Sequence, residues 1–174
     1  RHRPPAARHG RQVYETPVGF KFIGELVTAD KILFGGEESA GLTIKGHFPE
    51  KDGILACLLV AEMVAARGAS LAEMLEEVFR KDGELYSERV GVRLTPEVMS
   101  RLQARLSAED PSQIGGRRVS SINRTDGVKY IFEDGSWLLL RLSGTEPVVR
   151  CYAESHSKTE LEVLLETGSK FVLN

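Results

Sequence analysis

The chain has 174 residues, 41% of them hydrophobic and 28% charged, with a formal net charge of -2. That is the composition of a soluble globular protein, long enough for one large domain or two small ones. The near-neutral balance excludes a general nucleic-acid or polyanion binder, so any anion recognition must be local.

Both cysteines, Cys57 and Cys151, sit in apolar runs. They are expected as buried free thiols rather than a disulfide or metal pair, which fits a reducing cytoplasm. The most apolar segment, 54–66, is interrupted by Glu62 and is too short to span a bilayer. Nothing reads as a signal peptide or an internal repeat.

In chain order, residues 1–12 begin with Arg1-His2-Arg3-Pro4-Pro5 and read as an irregular, disordered tail. Residues 12–18 read as a strand. Gly19 opens a short helix with Phe20, Ile23, Leu26 and Val27 at helical spacing. Ile32-Leu33-Phe34 reads as a buried strand that delivers the chain into Gly35-Gly36-Glu37-Glu38-Ser39-Ala40-Gly41. A strand ending in a polar, glycine-rich loop is where an α/β layer places ligand contacts. Residues 43–49 form a loop. Residues 52–67 predict a helix that is apolar nearly all round and so is expected to be sandwiched within a domain. Gly68 ends it. Ser70-x-x-Glu73 is a capping box, and Leu71, Met74, Leu75, Val78 and Phe79 give the next helix an apolar stripe meant for a core. Asp82-Gly83 marks the expected domain boundary.

In the second half, residues 85–94 read as a strand and Thr95-Pro96 as a helix start, with Val98, Leu102 and Leu106 as its apolar stripe. Three strand runs follow over 117–124, 128–132 and 136–142. Asp126-Gly127 and Asp134-Gly135 mark the turns between them. A further strand covers 148–154, and the capping box Ser157-x-x-Glu160 opens a final helix. The expected fold is therefore α/β plus α+β. A partial α/β layered domain over 13–83 precedes a small antiparallel sheet of four to five strands, with helices on one face, over 84–174.

Arg141-Leu142-Ser143-Gly144-Thr145-Glu146-Pro147 joins two of those strands. It offers a guanidinium, two hydroxyls and a glycine-centred turn. Successive backbone N–H groups there can form an anion-binding nest, and Arg141 adds a planar fork matched to phosphate oxygens. On chemistry alone an ordinary hairpin loop with a charged rim fits equally well.

This R-x-S-G-T-E-P stretch resembles the phosphate-binding loop in the last domain of the α-D-phosphohexomutases, the phosphoglucomutase/phosphomannomutase superfamily. Gly35-Gly36-Glu37-Glu38-Ser39 resembles that family's sugar-recognition loop. The two stand in the family's order, and the resemblance covers most of the chain from about Val13 onward. It implies the third and fourth domains of a four-domain enzyme, the third without its opening strand. That leaves an unpaired edge or exposed apolar face, and hence homodimerisation, association with the missing domains, or marginal stability. The family carries a helix where residues 1–12 lie. One codon choice for Arg-His-Arg-Pro-Pro, shifted by one base, reads Asp-Ile-Asp-Arg-Leu and restores the family pattern. A start inside a longer gene near a frameshift is one reading, and a natural divergent start is the other.

By resemblance Glu37 and Ser39 contact the 3- and 4-hydroxyls of a sugar; on the residues alone, Glu37 capping a turn is the alternative. Gly-His follows the serine in some bacterial members, whereas this chain has Ala40-Gly41 and so no histidine contact there. The G-E-E-S form leans toward a glucose-type hexose. Lys51, in Glu50-Lys51-Asp52-Gly53, resembles a substrate-reaching lysine; the alternative is a solvated charge cluster where Asp52 is the helix N-cap. His47 is a further candidate for titration near neutrality, against a plain surface-loop histidine. Arg141, Ser143, Gly144 and Thr145 are implied to hold the non-transferring phosphate. Arg150 stands as a second cation or an exposed strand arginine.

The resembling enzymes transfer a phosphoryl group through a phosphoserine with Mg²⁺, converting a hexose 1-phosphate into the 6-phosphate by way of a bisphosphate. Their T-A-S-H-N-P-like serine loop and D-G-D-x-D-R-like metal loop occur nowhere in these 174 residues. No catalytic residue and no metal ligand is therefore expected here, and the chain by itself is expected to be inactive. The expected partner is a phosphorylated hexose, with no nucleic acid and no membrane, in the cytoplasm. A non-catalytic phosphosugar-binding or protein-interaction module is the alternative.

Overall fold

The computed structural model describes residues 10–173. The tail expected over 1–12, with its frameshift reading, lies outside the described residues up to position 9. The chain divides into two compact units, Tyr14–Lys81 and a second built mainly from Asp82 onward.

The first unit begins with α1 (Phe20–Thr28), whose buried Phe20, Ile23 and Val27 form a small cluster with Ile32. A hairpin follows, β1 (Phe34–Gly36) and β2 (Leu42–Ile44), paired antiparallel with Gly35 opposite Thr43. Then come α2 (Gly53–Arg67) and α3 (Leu71–Asp82). Asp52 caps α2 by accepting from the Ile54 and Leu55 N–H groups at 2.9 and 3.1 Å, as its position at the start of an apolar run predicts. The Ser70–Glu73 capping box forms in both directions. The Ser70 N–H donates to Glu73 Oε2 at 2.8 Å, and the Glu73 N–H donates to Ser70 Oγ at 3.3 Å.

Several expectations for this unit fail, and for one reason. Residues 11–17 are not a strand, because a strand exists only within a ladder and this segment pairs with no described strand. The strand expected at 32–34 starts at Phe34 and runs into the glycines, and the loop expected at 43–49 begins inside β2. Among the described residues the sheet of this unit is a two-stranded antiparallel hairpin. Without a second layer to cover them, the helices stay exposed. No residue of α2 is buried, and only Met74 of the α3 stripe is. Ile54 is 76% exposed and Leu58 63%. No single helix among the described residues is long and apolar enough to cross a membrane.

The second unit has a complete core. β3 (Tyr86–Arg93) leads to α4 (Pro96–Ala108), started by Thr95 as N-cap with Pro96 in the first turn. Then come β4 (Gln113–Ile114), β5 (Arg117–Asn123), β6 (Val128–Phe132), β7 (Trp137–Leu142), β8 (Val148–Ser155) and α5 (Lys158–Leu173). The strands form one antiparallel sheet in the order β3-β8-β7-β6-β5-β4. That makes six strands rather than four to five. The extra one, β4, is two residues long and closes onto β5 through Gly115-Gly116. The turns at Gly127 and Gly135 have φ near 82° and 88°, the left-handed backbone that glycine supplies without a Cβ penalty.

Alternation along the strands builds the core. Val128, Tyr130 and Phe132 of β6, Leu138 and Leu140 of β7, and Val149, Cys151 and Ala153 of β8 are all buried. They pack with Leu102 and Leu106 of α4 and Leu161, Leu164 and Val172 of α5. Tyr130 meets the Phe171 ring edge-on, centroids 6.0 Å apart. The Arg105 guanidinium lies over the Phe171 ring, 4.2 Å from its centroid, and donates to the Phe171 carbonyl.

Both cysteines are free, but only Cys151 is buried; Cys57, expected inside, is exposed on α2. Burial pushes the Cys151 thiol up to about 11. A neutral thiol reagent should therefore label Cys57 rapidly in the native protein and Cys151 only on unfolding. Two rapidly labelled thiols would mean that the sheet core is open.

Candidate functional site

The candidate residues lie in two loops, one in each unit. In the first unit the 37–41 turn connects β1 to β2. Its backbone closes through Glu37 N–H to the Gly41 carbonyl at 2.8 Å and Ala40 N–H to the Glu37 carbonyl at 3.0 Å. Thr43, fully buried, donates to the Phe48 carbonyl at 2.8 Å and fixes the following loop. The Asp52 N–H reaches the Leu42 carbonyl at 3.2 Å. The start of α2 is thereby held against the hairpin.

This brings Lys51 to Glu37. The Lys51 ammonium lies 3.8 Å from Glu37 Oε2, an ion pair too long to be a hydrogen bond. A hydroxyl group between them can donate to the carboxylate and accept from the ammonium. The Glu37 side chain is only 20% exposed while Lys51 is more than half exposed. Ser39 shares the turn, is exposed, and its hydroxyl has no hydrogen-bond partner among the described residues. His47 instead faces Asp52, with Nε2 3.0 Å from Oδ2. The Leu55 N–H first, and the His47 ring second, hold the Asp52 carboxyl below the ordinary carboxylate range. That contact ties His47 to the helix cap.

In the second unit the phosphate-loop candidate spans the turn from β7 to β8. The Ser143 N–H donates to the Val148 carbonyl at 2.9 Å, the Leu94 N–H to the Pro147 carbonyl at 2.9 Å, and the Thr145 N–H reaches Ser143 Oγ at 3.5 Å. The N–H groups of Gly144 and Glu146 donate to no described residue. Gly144 is not in the left-handed region, and a Cβ there would meet nothing within 4 Å. The glycine therefore leaves open backbone rather than making the turn.

Register sets the cations. Arg141 on β7 is directly opposite Arg150 on β8, and Arg150 is opposite Gly91 on β3. Like charges so placed repel. Arg141 is offset by Asp126, whose Oδ2 lies 3.3 Å from Nε; Arg150 has no charged partner among the described residues. Two guanidinium groups beside unclaimed N–H donors and hydroxyls suit an anion of more than one charge.

Sequence reasoning brings Arg141, Ser143, Gly144 and Thr145 into one loop by adjacency, and the fold adds Arg150. It missed Asp126, which reads only as a hairpin turn residue. Its visible signal is that the Thr125-Asp126-Gly127 turn opens the strand that pairs with Arg141's own. Among the described residues no group of three or more His, Cys, Asp or Glu side chains could hold a metal ion.

Residues 4–82 match the phosphoglucomutase/phosphomannomutase α/β/α domain III, and residues 49–167 match that family's C-terminal domain. The chain is 31% identical to a phosphoglucomutase of Rhizobium radiobacter over 94% of its length and 34% of that protein's. A crystal structure of a Thermus thermophilus protein assigned as a phosphomannomutase superposes with a TM-score of 0.74 at 35% identity, over 97% of this chain and 33% of that one. The N-acetylphosphoglucosamine mutase of Aspergillus fumigatus, crystallised with GlcNAc-6P and magnesium, shares the fold at a TM-score of 0.57 and 17% identity, over 97% of this chain and 38% of that one. The chain spans about a third of the length of these relatives.

Ala40 has φ 67°, which costs an L-residue about 1–2 kcal/mol, partly offset by glycine's greater freedom when unfolded. Ala40→Gly should stabilise the first unit by about 0.5–1 kcal/mol, read as a shift in the denaturation midpoint. A loss of stability would show that the turn is not strained.

Proposed function

The chain belongs to the phosphoglucomutase/phosphomannomutase family, and from that premise we propose that it is the sugar- and phosphate-holding portion of an α-D-phosphohexomutase. The whole enzyme would be an intramolecular phosphotransferase of the cytoplasm, converting a hexose 1-phosphate into the 6-phosphate through a phosphoserine and a bisphosphate.

The observation that carries this reading is the β7–β8 hairpin, with Arg141 and Arg150 opposed beside a loop of unclaimed donors. A phosphate dianion there relieves the cross-strand repulsion and accepts from the Arg141 fork, the hydroxyls of Ser143 and Thr145, and the open backbone at Gly144. Its role is to hold the phosphate that does not react. In the other unit Glu37 accepts from one sugar hydroxyl, Ser39 bonds a second, and Lys51, paired with Glu37, donates to the same group of oxygens. His47 has no direct part in this scheme, because it faces the helix cap.

The chemistry of transfer is proposed to lie elsewhere in the enzyme. The 174 residues hold neither the serine loop nor the metal loop. The described residues do not fit a hard divalent cation, which needs a cluster of oxygen ligands. The second reading, a non-catalytic binding or interaction module, draws its support from α2, whose apolar side chains are exposed. Patches of that kind mark association surfaces, here for a second copy or for the rest of a mutase.

NMR titration of the chain with inorganic phosphate, glucose 1-phosphate and mannose 1-phosphate should give saturable shifts over residues 141–145 with all three, and further shifts at Glu37 and Ser39 with the two sugars. Arg141→Ala should weaken phosphate binding about tenfold or more, the size of a charged hydrogen bond. A loop silent toward all three ligands would remove the phosphate role. With a bisphosphate primer and Mg²⁺ the chain should show no turnover; measurable mutase activity would overturn the division of labour. In sedimentation the chain should run heavier than a monomer and shift toward monomer on Ile54→Glu with Leu58→Glu. A monodisperse wild-type monomer would count against association through α2.

A further inference from the structure

We propose that Asp126 is a positioning residue for the phosphate loop. Its carboxylate holds Arg141 by Nε and leaves the other four N–H donors of the guanidinium as a fixed fork for the anion. The inference rests on the phosphate-holding role of Arg141 and deepens it.

Three observations carry it. The Arg141 Nε to Asp126 Oδ2 distance is 3.3 Å, and the two side chains are only 26% and 30% exposed, so the pair is partly shielded from water. The residue after Asp126 is pressed onto the backbone of β7. A Cβ on Gly127 would lie 2.5 Å from the Leu140 carbonyl oxygen and 3.1 Å from Arg141 Cα, at a φ of +82° that disfavours any side chain. The turn's place against Arg141 is therefore set by backbone contact and not by the ion pair alone. From its other side the turn is anchored by Arg124, which donates to the Leu106 carbonyl and to Asp110 Oδ1, the latter at 2.6 Å. A carboxylate on a scaffold held at both ends fixes the arginine before a ligand arrives, so less side-chain freedom is lost on binding.

The two roles open to Asp126 differ in sign. As a bare negative charge Asp126 would oppose an anion at Arg141, and removing it would tighten phosphate binding. As a positioning group it does the reverse. In the ligand-free wild-type chain the Arg141 Nε–H should give a resolved, slowly exchanging NMR signal that is lost in Asp126→Ala. Inorganic phosphate should bind Asp126→Ala about three- to tenfold more weakly, within the range of couplings between contacting groups. Asp126→Glu should restore part of that loss. Asp126→Asn, which preserves shape, should also bind phosphate more weakly than wild type and serves if the alanine variant fails to fold. In an Arg141→Ala background Asp126→Asn should cause no further loss. Phosphate binding that is unchanged or tighter in Asp126→Asn, or in Asp126→Ala where it folds, would overturn the inference, and so would an equal further loss in the Arg141→Ala background. A wild-type chain that binds no phosphate at all would instead remove the reading beneath it, while the Nε–H signal would still report whether the pair forms.

Discussion

The period-two alternation shared by β7 and β8 is the constraint on which the rest of the second unit depends. Leu138 pairs with Ala153 and Leu140 with Cys151, and all four are fully buried. Because side chains alternate across a sheet, burying this set sends Arg141 and Arg150 to the opposite face, directly across from one another. A slip of one residue would carry both guanidinium groups into the core and leucines into water. Core packing therefore decides the geometry of the cations. The loop between the strands inherits its position from that register, through the Ser143–Val148 and Leu94–Pro147 backbone bonds.

The two units differ in how far they satisfy their own apolar surface. The second closes a core of sixteen buried residues between one sheet face and two helices. The first buries three in its cluster, while α2 and most of the α3 stripe face outward. Both helices are nevertheless well specified locally, by the Asp52 cap and the Ser70–Glu73 box. Local capping starts a helix without needing anything to pack against it. The 37–41 turn is shaped on the same terms, closed by its own backbone, and Thr43 fixes the loop that follows. A polar turn can thus be shaped in a unit whose helices still present hydrophobic surface.

What was legible follows from how far apart the interacting residues lie. The second unit's helices, its Asp-Gly turns and its alternating strands are short-range features and stand close to where the pattern puts them. The loop 141–147 is legible for the same reason, since its groups are neighbours in the chain. The two-residue β4 was invisible, being too short to carry a period. The strand expected over 12–18 and the burial expected of the helix over 52–67 both failed because burial and pairing require partners, and local pattern does not supply them. Cys57 misled in the same way, an apolar neighbourhood in sequence lying on an exposed helix. Asp126 was overlooked because its partner Arg141 lies a hairpin away.

By itself the sequence determined the caps, the turns, the periodicities and the two polar loops, because a side chain and its nearest backbone groups suffice to specify each of them. Through its motifs it also determined the family. The tertiary structure alone decided that Arg150 faces Arg141, that Asp126 reaches Nε, that Lys51 sits beside Glu37, and that α2 is left uncovered. Each of those depends on strand register, or on the presence of a second layer, and both are properties of chain segments brought together in space.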